Sequence, residues 1–198
     1  MHISSFFNLE LRLERFMNPT HILAVCTGNI CRSPAIERLL AHRLMGSAAV
    51  ASAGTMAVVG APIAEPMAQL LLGVGVSPAG FAARRINQRM IDESDLILTA
   101  STEHRSAVVA LQPLAMKKTF TLLEFARTVP HVSAAVAHLP LTERVSALAQ
   151  QTYQARPHLR FSREQIDIPD PFGNSQEVYV TAFTLITHAV DEIAPILM

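Results

Sequence analysis

Within the stretch Val25-Cys26-Thr27-Gly28-Asn29-Ile30-Cys31-Arg32-Ser33-Pro34 the chain sets a thiol, a guanidinium and a hydroxyl around a short loop. A short apolar run, His21 to Val25, precedes it, and an amphipathic helical pattern, Pro34 to Met45, follows, so the order is strand, tight loop, helix start. A helix start presents N–H groups without intrahelical partners and a partial positive charge, which together bind anions. Gly28 is expected to let the loop turn where a Cβ would clash. The backbone of Thr27, Gly28, Asn29, Ile30, Cys31, Arg32 and Ser33 is then expected to form an anion nest. Arg32 adds a planar fork suited to two phosphate oxygens. Cys26 lies at the floor of this positive cup, where a thiolate is favoured as a nucleophile. Ser33 reads as the N-cap and Pro34 as the first helical residue, and the Ser33 hydroxyl can also turn back to the Cys26 sulfur. Asn29 tolerates left-handed backbone angles and can tie the loop together. Free cysteines are usually buried structural residues, but that reading gives no reason for Gly, Asn, Arg and Ser at these spacings.

The elements that must position these groups alternate along the chain. Strands are expected at 22–25, 49–53, 96–99 and 118–121. Helices are expected from Pro34 to Met45, with Ile36, Leu39, Leu40 and Leu44 on one face, and at 63–72, 87–91 and 102–111. Further helices are expected at 122–126, 134–137, 143–154 and 176–193, the middle two broken around Pro140. Such alternation means a single α/β domain with a parallel sheet and helices on both faces. Ligands bind outside the carboxyl ends of such strands, and the first strand ends at Cys26.

Cys26 to Ser33 reads as C-x5-R-S and resembles the active-site loop of the low-molecular-weight protein tyrosine phosphatase family, bacterial type. Ser52-Ala53-Gly54-Thr55, Asp95-Leu96-Ile97-Leu98-Thr99 with the following His104-Arg105, and Ile168-Pro169-Asp170-Pro171-Phe172-Gly173 are similar to the family as well. The resemblance spans residues 21–198. It implies a four-stranded sheet of order 2-1-3-4 with the phosphate loop after strand one. It also implies a general acid in an Asp-Pro motif, here Asp170, on a loop stiffened by Pro169 and Pro171. Asp167 lacks a following proline and reads as a solvated loop residue. His104 reads as a surface or capping residue, and Asp92-Glu93-Ser94-Asp95 as a loop facing water. The implied reaction is attack by Cys26, support of the phosphoryl oxygens by the loop amides and Arg32, and proton transfer by Asp170. No cofactor or metal is expected.

Met56 and Phe172 are expected to wall an apolar substrate slot. Some relatives act on phosphoarginine and carry Thr where this chain has Ile30, and a bulky apolar residue there favours an aryl phosphate. The expected partner is therefore a phosphotyrosine-containing protein. The alternatives are a phosphoarginine phosphatase, a thioredoxin-coupled arsenate reductase, and a module that binds phosphoproteins without turnover. The reductase needs further cysteines downstream, and none follows Cys31. A pure binding module needs neither nucleophile nor acid.

The formal net charge of zero gives no reason to expect nucleic acid or an anionic membrane as partner. The longest apolar stretch, Met67 to Val76, is too short to span a bilayer, and Met1 to Arg15 carries charges where a signal peptide needs an apolar core. Two cysteines in one loop suit a reducing compartment, so a cytoplasmic location is expected. Residues 1–20 read as an extension, either an amphipathic helix or an upstream start that the cell does not use. Residues 127–165 read as a helical insertion beside the acid loop, a candidate lid or partner surface. Cys26 and Cys31 are expected to form a reversible disulfide on oxidation, against the plainer alternative that Cys31 packs under the loop. These patterns give no oligomeric state.

Overall fold

The structure, a computed structural model, describes residues 20–198, so the expected extension lies outside the described residues except for Thr20. Strands β1 (Thr20–Cys26), β2 (Ala48–Gly54), β3 (Leu96–Thr99) and β4 (Thr119–Thr121) form one parallel sheet of order β2-β1-β3-β4. This is the expected fold. β1 is paired on both sides: Cys26 faces Gly54 across one ladder, and Val25 faces Thr99 across the other. The period of two along β1 sends Ile22 and Ala24 to one face and Leu23 and Val25 to the other.

The first face carries the larger core. Helix α1 (Arg32–Leu44) packs Ile36, Leu39, Leu40 and Leu44 there. Helix α2 (Glu65–Gly73) adds Met67 and Leu71. The second face is thinner. Helices α3 (Gln88–Glu93) and α4 (Thr102–Leu111) cover it with Ile91 and Val108. Helix α4 has the bounds its pattern predicts, because the Ser101 hydroxyl caps its start and Gln112-Pro113 ends it.

Differences from expectation in two helices have local physical causes. Helix α5 (Leu122–Val132) runs on past Ala126 and through Pro130. A Thr121–Glu124 capping box starts it, and the burial of Phe125, Ala126 and Val129 outweighs the one hydrogen bond that Pro130 cannot donate. Helix α1 starts at Arg32 with Cys31 as N-cap, so Ser33 is not the cap and Pro34 is the third helical residue. Pro34 is tolerated there because N–H groups of the first turn have no intrahelical partner.

The segment 127–165 contributes helix α6 (Leu141–Ala155) and the short helix α7 (Arg163–Ile166). Val145, Leu148 and Ala149 of α6 are buried in the first-face core. Ser146 donates to Asp95, which accepts the N–H of His21, so α6 braces the end of the sheet opposite Cys26 and is not a lid over the loop. At its other end, Arg156 lies over the Phe120 ring and pairs with buried Glu124, which also holds Arg105. The chain returns to the site only through α7, before helix α8 (Gln176–Ile193) closes the core with Ile186, Val190 and Ile193. Among the described residues no helix is long and apolar enough to cross a membrane.

Candidate active site

The loop from Cys26 to Arg32 is held by its carbonyls. The oxygens of Cys26, Thr27 and Gly28 accept the N–H groups of Thr55, Met56 and Val58 at 2.9, 3.0 and 3.0 Å, and that of Ile30 accepts Ala64 N–H at 2.8 Å. Among the described residues, the N–H groups of Gly28, Asn29, Ile30 and Cys31 find no protein acceptor. Carbonyls bound on the outside with donors left over make an anion nest.

The turn itself is made at Asn29, whose φ is 55°, and not at Gly28. Asn29 is fully buried and satisfied on both ends of its amide. Its nitrogen donates to Ser33 Oγ at 3.0 Å and to Ser52 Oγ at 2.8 Å, and its oxygen accepts Arg84 N–H at 2.8 Å. Ser52 in turn donates to Glu37 at 2.6 Å. Ser33 Oγ accepts from Asn29, and its own proton has two acceptors within reach, the Cys26 sulfur at 3.0 Å and Ala53 O at 3.4 Å, of which the sulfur is the nearer. That use of the hydroxyl is why Ser33 does not cap the helix. The close approach belongs to Gly54: a Cβ there would meet the Thr27 carbonyl oxygen, and Asn29 Cβ and N at 3.0 Å. At Gly28 a Cβ would meet side chains alone, Ile30 at 3.3 Å and Val58 at 3.8 Å.

Arg32 is buried and joins the loop to the late segment that carries the acid. Its Nη1 donates to Ile168 O at 3.1 Å, and its Nη2 lies 2.7 Å from Asp170 Oδ2. Its Nε is buried with no partner, a donor left for a ligand oxygen. Asp170 accepts Phe172 N–H at 3.2 Å, and Asn174 donates to Asp170 O, so the acid sits in a fixed turn. Asp167 is not a free loop residue. It accepts Thr102 N–H at 2.7 Å and the Thr102 hydroxyl at 2.9 Å, which ties this loop to the start of α4. Ile168 N–H donates to Ala100 O, a second tie.

A cavity of about 220 Å³ opens over these groups. Cys26, Thr27, Gly28, Arg32 and Asp170 line it, with Ile30, Met56, Val58 and Phe172 as its apolar wall. Cys31 borders it too, but its thiol is pushed up to about 11, chiefly by burial, and it lies 3.8 Å from Tyr179 Oη. Of the predicted residues, Asn29 and Ser33 serve from beneath the loop. Glu37 and Val58 carried no signal as site residues, whereas Ser52 and Gly54 had one in the stretch Ser52-Ala53-Gly54-Thr55 that resembles the family, without a role attached. Nor is His104 at the surface. It is buried, bonded through Nε2 to Thr27 Oγ1 at 2.8 Å and through Nδ1 to Ser101 Oγ at 2.7 Å. Of the acidic patch, Asp92 and Glu93 are exposed as expected, but Ser94 is buried.

The family model described as low molecular weight phosphotyrosine protein phosphatase matches residues 21–140. The low molecular weight protein-tyrosine-phosphatase Etp of Escherichia coli (strain K12) is 32% identical over 171 residues, 86% of this chain and 90% of that protein. A protein-arginine-phosphatase of Geobacillus stearothermophilus is 28% identical over 176 residues, 89% of this chain and 95% of that protein. Among solved structures, Vibrio vulnificus Wzb in complex with benzylphosphonate is similar at a TM-score of 0.66 and 26% identity, over 90% of this chain and 99% of that one.

Proposed function

The chain belongs to the low molecular weight phosphotyrosine protein phosphatase family, cysteine-dependent hydrolases, and we propose that it removes phosphate from phosphotyrosine in proteins with Cys26 as nucleophile and Asp170 as acid. The observation that carries this reading is the pairing of Arg32 with Asp170 at 2.7 Å over a cup of unpaired loop amides, with the Cys26 sulfur beneath.

The steps follow from the groups present. Cys26 Sγ forms a bond to phosphorus as the bond to the ester oxygen breaks. The loop amides and Arg32, including its unpartnered Nε, hold the three phosphoryl oxygens where charge is spread. Asp170, protonated, gives its proton to the leaving oxygen. Water then bonds to phosphorus, the S–P bond breaks, and Asp170 takes the water's proton. Ser33 donates to the sulfur both before attack and as it leaves.

The slot supports an aryl ester. Ile30, Met56, Val58 and Phe172 are apolar and suit an aromatic ring, with Met56 and Phe172 exposed at the rim. A phosphoguanidinium would find only Asp170 as a carboxylate acceptor among the residues that line the pocket. A cytoplasmic location belongs to the same reading, since both cysteines are free and Cys26 must stay reduced. The test is hydrolysis of matched phosphotyrosine and phosphoarginine peptides. A higher kcat/KM for phosphotyrosine is expected, and a preference for phosphoarginine would overturn the substrate assignment.

A further inference from the structure

Hydrolysis of a cysteinyl-phosphate needs a water held against phosphorus and against the carboxylate that takes its proton. Asp170 can accept that proton. A group that donates to the water's second lone pair would fix its direction. Among the residues lining the pocket, Thr27 is the one with a neutral hydroxyl.

Proton counting decides which way that hydroxyl points. Ser101 Oγ caps α4 by accepting His104 N–H at 3.4 Å, and it lies 2.7 Å from His104 Nδ1. The Ser101 proton has no other acceptor among the described residues, so it goes to Nδ1. His104 is then protonated on Nε2, and this N–H donates to Thr27 Oγ1 at 2.8 Å. A threonine oxygen that accepts this bond keeps its own proton for another partner, and the open space beside it is the pocket. Burial first, and the Arg32 charge second, push His104 down to about 4, so this arrangement persists at neutral pH. Thr27 lines the same pocket as Arg32 and Asp170, so its hydroxyl and the acid share one cup.

We propose that His104 is a positioning residue that presents the Thr27 hydroxyl as a donor to the water that hydrolyses the cysteinyl-phosphate. This rests on the reading of Cys26 and Asp170 given above. One lone pair of the water accepts from Thr27 and the other bonds to phosphorus. One proton passes to the Asp170 carboxylate, and the S–P bond breaks to return the Cys26 thiolate.

The experiment is rapid mixing with 4-nitrophenyl phosphate, whose first step is fast because its leaving group departs readily. Thr27→Val keeps the volume and removes the hydroxyl. It is expected to leave the burst rate of nitrophenol nearly unchanged and to lower steady-state kcat about tenfold, roughly the worth of one hydrogen bond. Quenched samples should carry more phosphoenzyme than wild type. Thr27→Ser, which keeps the hydroxyl, should behave as wild type. His104→Leu should copy Thr27→Val, and His104→Gln, whose amide can donate in place of Nε2, should recover most of the rate. An equal fall in burst and steady state, a change in KM alone, or a Gln variant no better than Leu would overturn the inference. A wild type with neither burst nor phosphoenzyme would instead overturn the assignment of Cys26, and the inference with it.

Discussion

The Asp170 carboxylate lies 2.7 Å from the Arg32 guanidinium, and the pair joins a half-exposed side chain, 51% accessible, to a buried one, 6% accessible. The acid is therefore parked on the residue that clamps the phosphoryl group. One guanidinium edge holds the acid loop through Asp170 and Ile168 O, while Nε remains for substrate.

Asp170→Asn removes the acid and keeps the shape. Turnover of phenyl phosphate should fall about 10²–10⁴-fold, the usual worth of general acid catalysis. With 4-nitrophenyl phosphate the loss of the first step should shrink, because that leaving group needs no proton. Burst rates on both esters measure this, and an equal loss on both would mean that Asp170 acts only by holding Arg32.

The two cysteines should separate cleanly. Cys26→Ser should lose nearly all turnover, whereas Cys31→Ser should keep substantial activity, since the Cys31 thiol meets Tyr179 and not Ser33. Iodoacetamide at neutral pH should label Cys26 and spare Cys31, whose thiol is held protonated up to about 11. Peptide mapping of the labelled protein reads the site, and label on Cys31 alone would reverse the assignment.

Oxidation tests the expected disulfide. Both cysteines are free in the structure and each has its own hydroxyl partner. If Cys31 closes on oxidised Cys26, peroxide followed by reductant should restore wild-type activity and restore Cys31→Ser much less. Equal recovery would leave Cys31 with packing as its only role.

Gly54→Ala should damage the site without touching it. The added methyl would press on the Thr27 carbonyl and on Asn29, backbone that cannot step aside. A loss of about 1–3 kcal/mol in urea unfolding is expected, as for other overpacked positions, with a fall in kcat/KM larger than for Gly28→Ala.

His104 should mark the acid limb of stability. Its proton is taken up near 6.5 in the unfolded chain and near 4 in the fold. The folded-state value is lowered, so its contribution is full above about 6.5, falls as pH drops to about 4, and changes no further below. Urea midpoints across this window should depend less steeply on pH in His104→Gln than in wild type.

The sheet was legible because its strands are short apolar runs between turn signals, and the phosphate loop because its residues have local reasons to stand together. Asp170 could be placed as an acid only through the motif it resembles, since the prolines that set it apart from Asp167 stiffen a loop but do not make an acid. What escaped the sequence depends on distance. Gly54 matters because β2 lies beside β1, Asp167 because it meets Thr102, and His104 because α4 points it at Thr27. The helix start was misplaced for a related reason: a Ser before Pro looks like a cap until a cysteine and an asparagine claim its hydroxyl. Helix α6 was expected at the acid loop by position in the chain, but its apolar stripe finds the core first.

The bond from Arg32 to Ile168 closes a separation of 136 residues. During synthesis on the ribosome, the nucleophile and its anion cup emerge early, while the acid and the carbonyl that orients Arg32 come last. A nascent chain can therefore pair β1 with β2 and β3 and still lack a proton donor. Turnover of esters that need the acid begins only when the late loop has docked, so the appearance of that activity during refolding is a clock for a long-range contact, and not for the sheet.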